Sequence, residues 1–266
     1  MIQPELYLML LTCIIKKYRA LAVCLFSLLF ISWAIDDDFW LKQKSKARVQ
    51  AAYKDKEELL TQKLSALGIN LNAINILITG FKSEGQLTVY VKKPADIKYT
   101  RFAVYSICSS SGILGPKRKA RDMQVPEGFY YINRFNPVSS YFLSLGINYP
   151  NEADKYRSRT ANPGSDIFIH GKCVTEGCLP LTDDKIKELY ILAIQAHHSG
   201  QQQIPVYIFP FRFDGIIGQR TMENYRDDKY LQSFWTNLKQ GYDEFIANRQ
   251  QLAVQVSTRG TYIFNR

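Results

Sequence analysis

His170, Cys173 and Cys178 fall within the stretch DIFIHGKCVTEGCLPLTDD (166–184), in a 266-residue chain with only three histidines and five cysteines. Residues of these types at this spacing can do three things: hold a metal, form a disulfide, or make a nucleophile with its base. Zinc takes His and Cys ligands, but a structural site needs four and a catalytic one three plus water. Outside the N-terminal apolar segment the other soft ligands are Cys108, His197 and His198, and no Cys-x2-Cys pair exists. No metal and no cofactor is therefore expected. A Cys173–Cys178 disulfide would close a strained six-residue ring and leave His170 unexplained. A Cys108–Cys173 bridge would tie two strands together and leave Cys178 free, which makes it the more attractive pairing.

The nucleophile reading accounts for more of the residues. A free thiol, with a pKa of about 8.5, is mostly protonated at neutral pH and needs a base. His170 stands at the end of a strand, before Gly171. Cys178 follows Gly177, and a residue without a side chain lets a reacting carbonyl come close to the backbone. Cys178 also stands just before a helix expected over 182–198, whose N-terminal field favours a thiolate. The N–H groups of Gly177 and Cys178 are candidates for an oxyanion hole. Together they suggest cysteine acyl transfer: attack, a thioester, then release to an amine or to water.

Several elements must position that turn. Residues 45–67 carry apolar side chains at spacings of three and four and predict a helix ending at Gly68. Strands are expected at 74–81, 87–93, 99–108, 128–135, 140–147, 166–170, 204–213 and 260–264. Thr182 is the expected N-cap of the 182–198 helix, with Asp183 and Asp184 in its first turn. His197 and His198 close that helix and are given no catalytic role. A second, aromatic-rich amphipathic helix is expected over 228–248. Residues 109–128 read as a loop, with four basic residues between Lys117 and Arg121, and 148–165 as a polar stretch. The pattern is mostly β, a sandwich or barrel with flanking helices, and α+β overall.

A formal charge of +10 and a pI near 9.3 favour an anionic partner: nucleic acid, an acidic membrane face or acidic wall polymer. No nucleic-acid-reading motif is present, so nucleic acid is not expected. Lys16, Lys17 and Arg19 precede the uncharged run 20–34, which has the form of an export signal or an uncleaved anchor. The expected layout is a signal peptide or anchor over 1–34 and a helical extension over 35–84 that leads into the first strands. A catalytic domain over 85–213 and a C-terminal helical extension over 214–266 follow. The protein is expected to be exported to the periplasm or envelope, with 20–34 as a possible membrane attachment.

Ile169-His170-Gly171 and Thr175-Glu176-Gly177-Cys178 resemble the signature of L,D-transpeptidases with the YkuD-type catalytic domain, in their divergent YafK-like branch. The resemblance continues through 110–137, 141–151 and 204–212, and covers about 99–213. It implies a β-rich, exported enzyme of bacterial cell-wall biogenesis and cell shape that acts on peptidoglycan stem peptides. Carried over, Cys178 is the nucleophile and His170 the general base, then acid. Gly177, Gly171 and Thr175 serve the oxyanion site or support the loop. Cys173 matches a position that is often Cys in this branch and takes no catalytic role. Two features depart from the usual motif: the His–Cys gap is short, and Leu179-Pro180 stands where an arginine is expected. A carboxylate-binding cation must then come from elsewhere, and Arg159, Lys117 and Lys172 are the candidates. The missing arginine keeps open a peptidase that hydrolyses the same linkages. A wall-binding protein without activity is the alternative of another class.

Overall fold

The computed structural model describes residues 38–158 and 160–265. The chain divides into two units, 1–42 and 43–266. Of the first unit only 38–42 are described, and they are helical. The export segment expected over 1–34 lies outside the described residues, as does Arg159. No helix among the described residues is long and apolar enough to cross a membrane.

The second unit is α+β and is built on an eight-stranded mixed sheet. β1 (Asn75–Phe81), β2 (Gln86–Lys92) and β3 (Thr100–Ser106) form an antiparallel meander. β4 (Gly128–Asn136), β5 (Ser144–Ile147) and β6 (Phe168–His170) form a second one, and β7 (Leu179–Pro180) runs parallel to β6. β8 (Ile204–Phe209) joins the two, parallel to β1 and antiparallel to β4. The strand order is β3-β2-β1-β8-β4-β5-β6-β7. β9 (Ala253–Val256) and β10 (Tyr262–Asn265) form a separate hairpin. The helices are α1 (Ala47–Ser65), α2 (Glu152–Ser158), α3 (Asp183–His198), α4 (Ile216–Asn224) and α5 (Lys229–Asn248). β1 lies inside the sheet, so the sheet begins at residue 75.

The two edges of the sheet meet at one end. Cys108, just past β3, donates its N–H to the carbonyl of Pro180 in β7 at 3.0 Å. The sheet is therefore curled and barrel-like where the candidate site lies. β8 is buried at every position, as a strand with helices on both faces must be. Its Tyr207 and Phe209 join Phe81, Phe129 and the α5 side chains Phe234, Trp235, Tyr242 and Phe245 in one aromatic cluster. The rings meet edge to face, as their quadrupoles favour, for example Phe209 and Tyr242 with centroids 5.2 Å apart. α3 packs over β1, β5, β6 and β8 with Ile186, Leu189, Tyr190 and Ile194 fully buried.

A buried carboxylate ties this core to the long loop after β3. Glu127 is fully buried and accepts from Trp235 Nε1 at 2.8 Å, Lys82 Nζ at 2.9 Å and Gly115 N at 2.7 Å. A buried charge is tolerated only when it is paired and hydrogen-bonded, and this one is both. The loop that reaches the site is thus held to β1 and α5.

The helix starting after Thr182 forms as expected, with Thr182 Oγ1 accepting from Lys185 N at 3.3 Å. The strand expected over 140–147 is shorter. Residues 139–142 instead turn, with Phe142 at φ 72°, and Arg48 Nη1 of α1 donates to the carbonyls of Ser139 and Phe142 at 2.5 and 2.7 Å. Within the polar stretch 148–165, α2 forms. Asn151 and Asp154 cap each other there, N–H to side-chain oxygen in both directions, at 3.0 Å.

Candidate active site

Cys178 ends a tight turn directly before β7. Thr175 Oγ1 accepts from Cys178 N at 2.8 Å and donates to Cys178 O at 2.9 Å, which locks the turn around the cysteine. Cys173, five residues earlier, is bridged to Cys108, so the turn is also fastened to the far edge of the sheet. Cys178 is the free cysteine among the described residues. Its Sγ accepts from Phe168 N at 3.4 Å and donates to the carbonyl of Asp166 at 3.7 Å.

His170 is the last residue of β6 and only 2% exposed. Its Nδ1 lies 2.6 Å from the Gly171 carbonyl. That contact fixes the tautomer with Nδ1 protonated and leaves Nε2 as the proton acceptor. The Tyr141 ring covers the imidazole, with centroids 4.7 Å apart. Tyr141 is carried by the 139–142 turn, which Arg48 holds from one side and Lys172 Nζ from the other, donating to Ser140 O at 2.8 Å. Gly171 has no room for a side chain, since a Cβ there would lie 2.6 Å from Asp183 Oδ1 and 3.0 Å from Tyr141 O. His170 and Cys178 line one cavity of about 500 Å³, with Tyr141, Asp166 and Phe168. Cys178 also lines a second cavity of about 220 Å³, with Ser111 and Ile113 of the long loop.

Burial pushes the Cys178 thiol up, further than the Phe168 N–H and the Lys117 charge pull it down, and Asp166 adds to the rise. Burial lowers the His170 imidazole, against the opposing Gly171 carbonyl. At neutral pH the cavity then holds a neutral thiol and a neutral imidazole. The helix field expected to favour a thiolate does not bring the thiol below its ordinary value. The first turn of α3 faces Gly171 and Lys172 instead, where Asp183 Oδ1 accepts from Lys172 N at 2.8 Å.

The expected oxyanion donors already have partners in this structure. Gly177 N donates to Ser111 Oγ at 2.8 Å and Cys178 N to Thr175 Oγ1, so both N–H groups are engaged. Lys117 does not open into the thiol's cavity: it is 3% exposed and its Nζ donates to Asp122 Oδ1 at 2.5 Å and Lys119 O at 3.0 Å. Lys172 is exposed, but its ammonium is engaged by the Ser140 carbonyl. The sequence reading passed over Ser111, Tyr141 and the exposed pair Arg134–Asp166, in which Nη1 and Oδ1 lie 2.6 Å apart. Only Asp166 had a visible signal, its place at the head of the His–Cys strand. Among the described residues no three His, Cys, Asp or Glu side chains converge on a metal position, and the disulfide takes Cys173 out of the ligand set.

Gly177 has φ 105°, a region that side chains rarely adopt, and a Cβ there would lie 2.7 Å from the carbonyl oxygen of Gln124. Gly177→Ala is expected to destabilise the fold by about 1–3 kcal/mol, measured by urea unfolding. An unchanged midpoint would show that the turn relaxes freely.

The sequence comparisons give the class of protein. The L,D-transpeptidase catalytic domain family, YkuD, matches residues 75–208, and the chain belongs to it. YafK of Escherichia coli strain K12, a provisionally assigned L,D-transpeptidase, is 34% identical over 194 residues, covering 72% of this chain and 74% of its own length. YafK of strain O157:H7 gives the same values. Among solved structures, the helical cell shape determining protein Pgp2 of Campylobacter jejuni aligns at a TM-score of 0.41 with 18% identity, covering 74% of this chain and 80% of that one. Bd1075 of Bdellovibrio bacteriovorus aligns at 0.36 with 22% identity, covering 64% and 62%.

Proposed function

We propose that this protein is a peptidoglycan L,D-transpeptidase in which Cys178 is the nucleophile and His170 the general base, then acid. The observation that carries the reading is a single cavity lined by a free thiol and a tautomer-fixed imidazole, in a chain of this family. The Cys178 proton passes to His170 Nε2 as Sγ attacks the carbonyl carbon of an L-centre residue in a stem peptide. The tetrahedral intermediate collapses to a thioester, and the leaving D-amino acid takes the proton from His170. An acceptor amine then attacks the thioester, gives its proton to His170 and releases Cys178 as a thiol. Starting from a neutral pair, the proton moves during attack, so no ion pair has to be stored at rest. The Gly177 N–H can serve the oxyanion once the substrate oxygen displaces the Ser111 hydroxyl. Thr175 and Gly171 support the two ends of the turn.

A second reading uses the same thioester with water as acceptor. It is favoured by Leu179-Pro180, buried in β7, where the usual motif carries an arginine. We infer in either case a site of action in the cell envelope, on peptidoglycan.

The full chain incubated with defined muropeptides tests both. New cross-linked dimers mean transpeptidation, and trimmed or separated stems mean hydrolysis. Intact muropeptides would overturn the proposed substrate.

A further inference from the structure

The family's usual arginine is missing after the cysteine, Lys117 and Lys172 are engaged elsewhere, and Arg159 lies outside the described residues. A different arginine, Arg134, contacts two residues that line the same cavity, Asp166 and Phe168. Arg134 on β4, Gly146 on β5 and Phe168 on β6 form one row across three strands, because Gly146 is the register partner of both. A Cβ on Gly146 would lie 2.9 Å from the Phe168 ring and 3.0 Å from Arg134 Nε. The glycine therefore leaves the groove through which the guanidinium crosses β5. It comes to rest over the Phe168 ring, 4.7 Å from its centroid. Stacking of this kind suits the planar guanidinium and not an ammonium.

Phe168 is also the residue whose N–H meets the thiol, at 3.4 Å. The row thus ends beside the reacting sulfur. Asn136, two residues on from Arg134 and on the same face of β4, lines the cavity with Phe168 and Cys178. The partner of the guanidinium is the Asp166 carboxylate, which lines the same cavity. Its other oxygen accepts only from Ser165 Oγ, at 2.9 Å. Arg134 and Asp166 have side chains 43% and 65% exposed. An ion pair this open to water holds weakly. An incoming carboxylate can replace Asp166, which then swings into solvent with its hydration restored, while the stacked guanidinium keeps its place.

We propose that Arg134 binds a free carboxylate of the stem peptide, and that Asp166 occupies the guanidinium until that carboxylate arrives. The inference rests on the proposed stem-peptide substrate. The planar fork offers two parallel N–H donors and so recognises a carboxylate by geometry as well as charge. On the peptide that group is either the terminal carboxylate or the one on the diamino-acid side chain.

The test is steady-state release from a tetrapeptide stem by the full chain, with all carboxylates free or with one or the other amidated. Arg134→Gln should raise KM for the free acid about 10- to 100-fold, as loss of a charged hydrogen-bond partner does. Arg134→Lys should fall between, keeping the charge and losing the fork. Amidating the carboxylate that Arg134 holds should impose the same KM penalty on the wild type and none on Arg134→Gln, which identifies the group. Asp166→Asn, which retains a residue tolerant of the φ of 61° found there, should keep or lower KM for the free acid. The alkylation rate of Cys178 by iodoacetamide should match the wild type in both Arg134 variants. An unchanged KM in Arg134→Gln, or one raised equally for all three peptides, would overturn this inference alone. A wild type that releases nothing from any of the peptides would overturn the substrate reading and this inference with it.

Discussion

Cys178→Ala is expected to lower product release from a stem peptide by about 10³-fold or more, the range found when an essential nucleophile is removed. The fold should survive. The turn is held by Thr175 Oγ1 to the backbone of residue 178, and by the Cys108–Cys173 bridge, neither of which uses the Cys178 side chain. The thiol gives up only its long contacts to Phe168 N and Asp166 O. An unfolding midpoint within error of the wild type, together with lost turnover, separates chemistry from stability. Retained turnover would remove Cys178 from the mechanism.

His170→Ala should cost a similar factor, with a distinct pH signature. The imidazole is held below its ordinary value of 6.5 by burial, so at pH 7 it is neutral and able to accept a proton. As pH falls through that lowered value the base becomes protonated, and kcat/KM of the wild type should fall with it. The variant should lack this acidic limb. The thiol is raised from 9.0, so its simple alkylation should be slow at neutral pH and speed up as pH rises through the raised value. A wild type with fast, pH-independent alkylation near pH 7 would mean a preformed thiolate, contrary to the neutral pair.

The parts of the fold legible in the sequence are those with a long repeat. α1, α3 and α5 each show apolar residues at helical spacing over four turns or more, and β1, β2 and β4 show runs bounded by turn residues. β7 is two residues long and has no period to read. The turn at 139–142 looked like a strand because Tyr141, Phe142 and Leu143 are apolar and aromatic. The Arg48 side chain, 91 residues away from Ser139, settles its course. The same distance effect governs the site. Strand, glycine and cysteine lie together in the sequence, so His170 and Cys178 stood out. The hydroxyl on Gly177 N belongs to Ser111, 66 residues earlier, and no local pattern announces it. Arg134 was hidden because one charged residue in an alternating strand reads as its solvent face. Only the register that aligns it with Gly146 and Phe168 sets it over the Phe168 ring and against Asp166.

The central claim is that Cys178 attacks an acyl carbon and keeps it as a thioester. The most direct measurement is the intact mass of the full chain after incubation with a carbapenem, a strained acyl donor, followed by peptide mapping. One adduct on the peptide that carries Cys178, absent from Cys178→Ala, is the predicted result. An adduct that persists in Cys178→Ala, or none on the wild type, would contradict it.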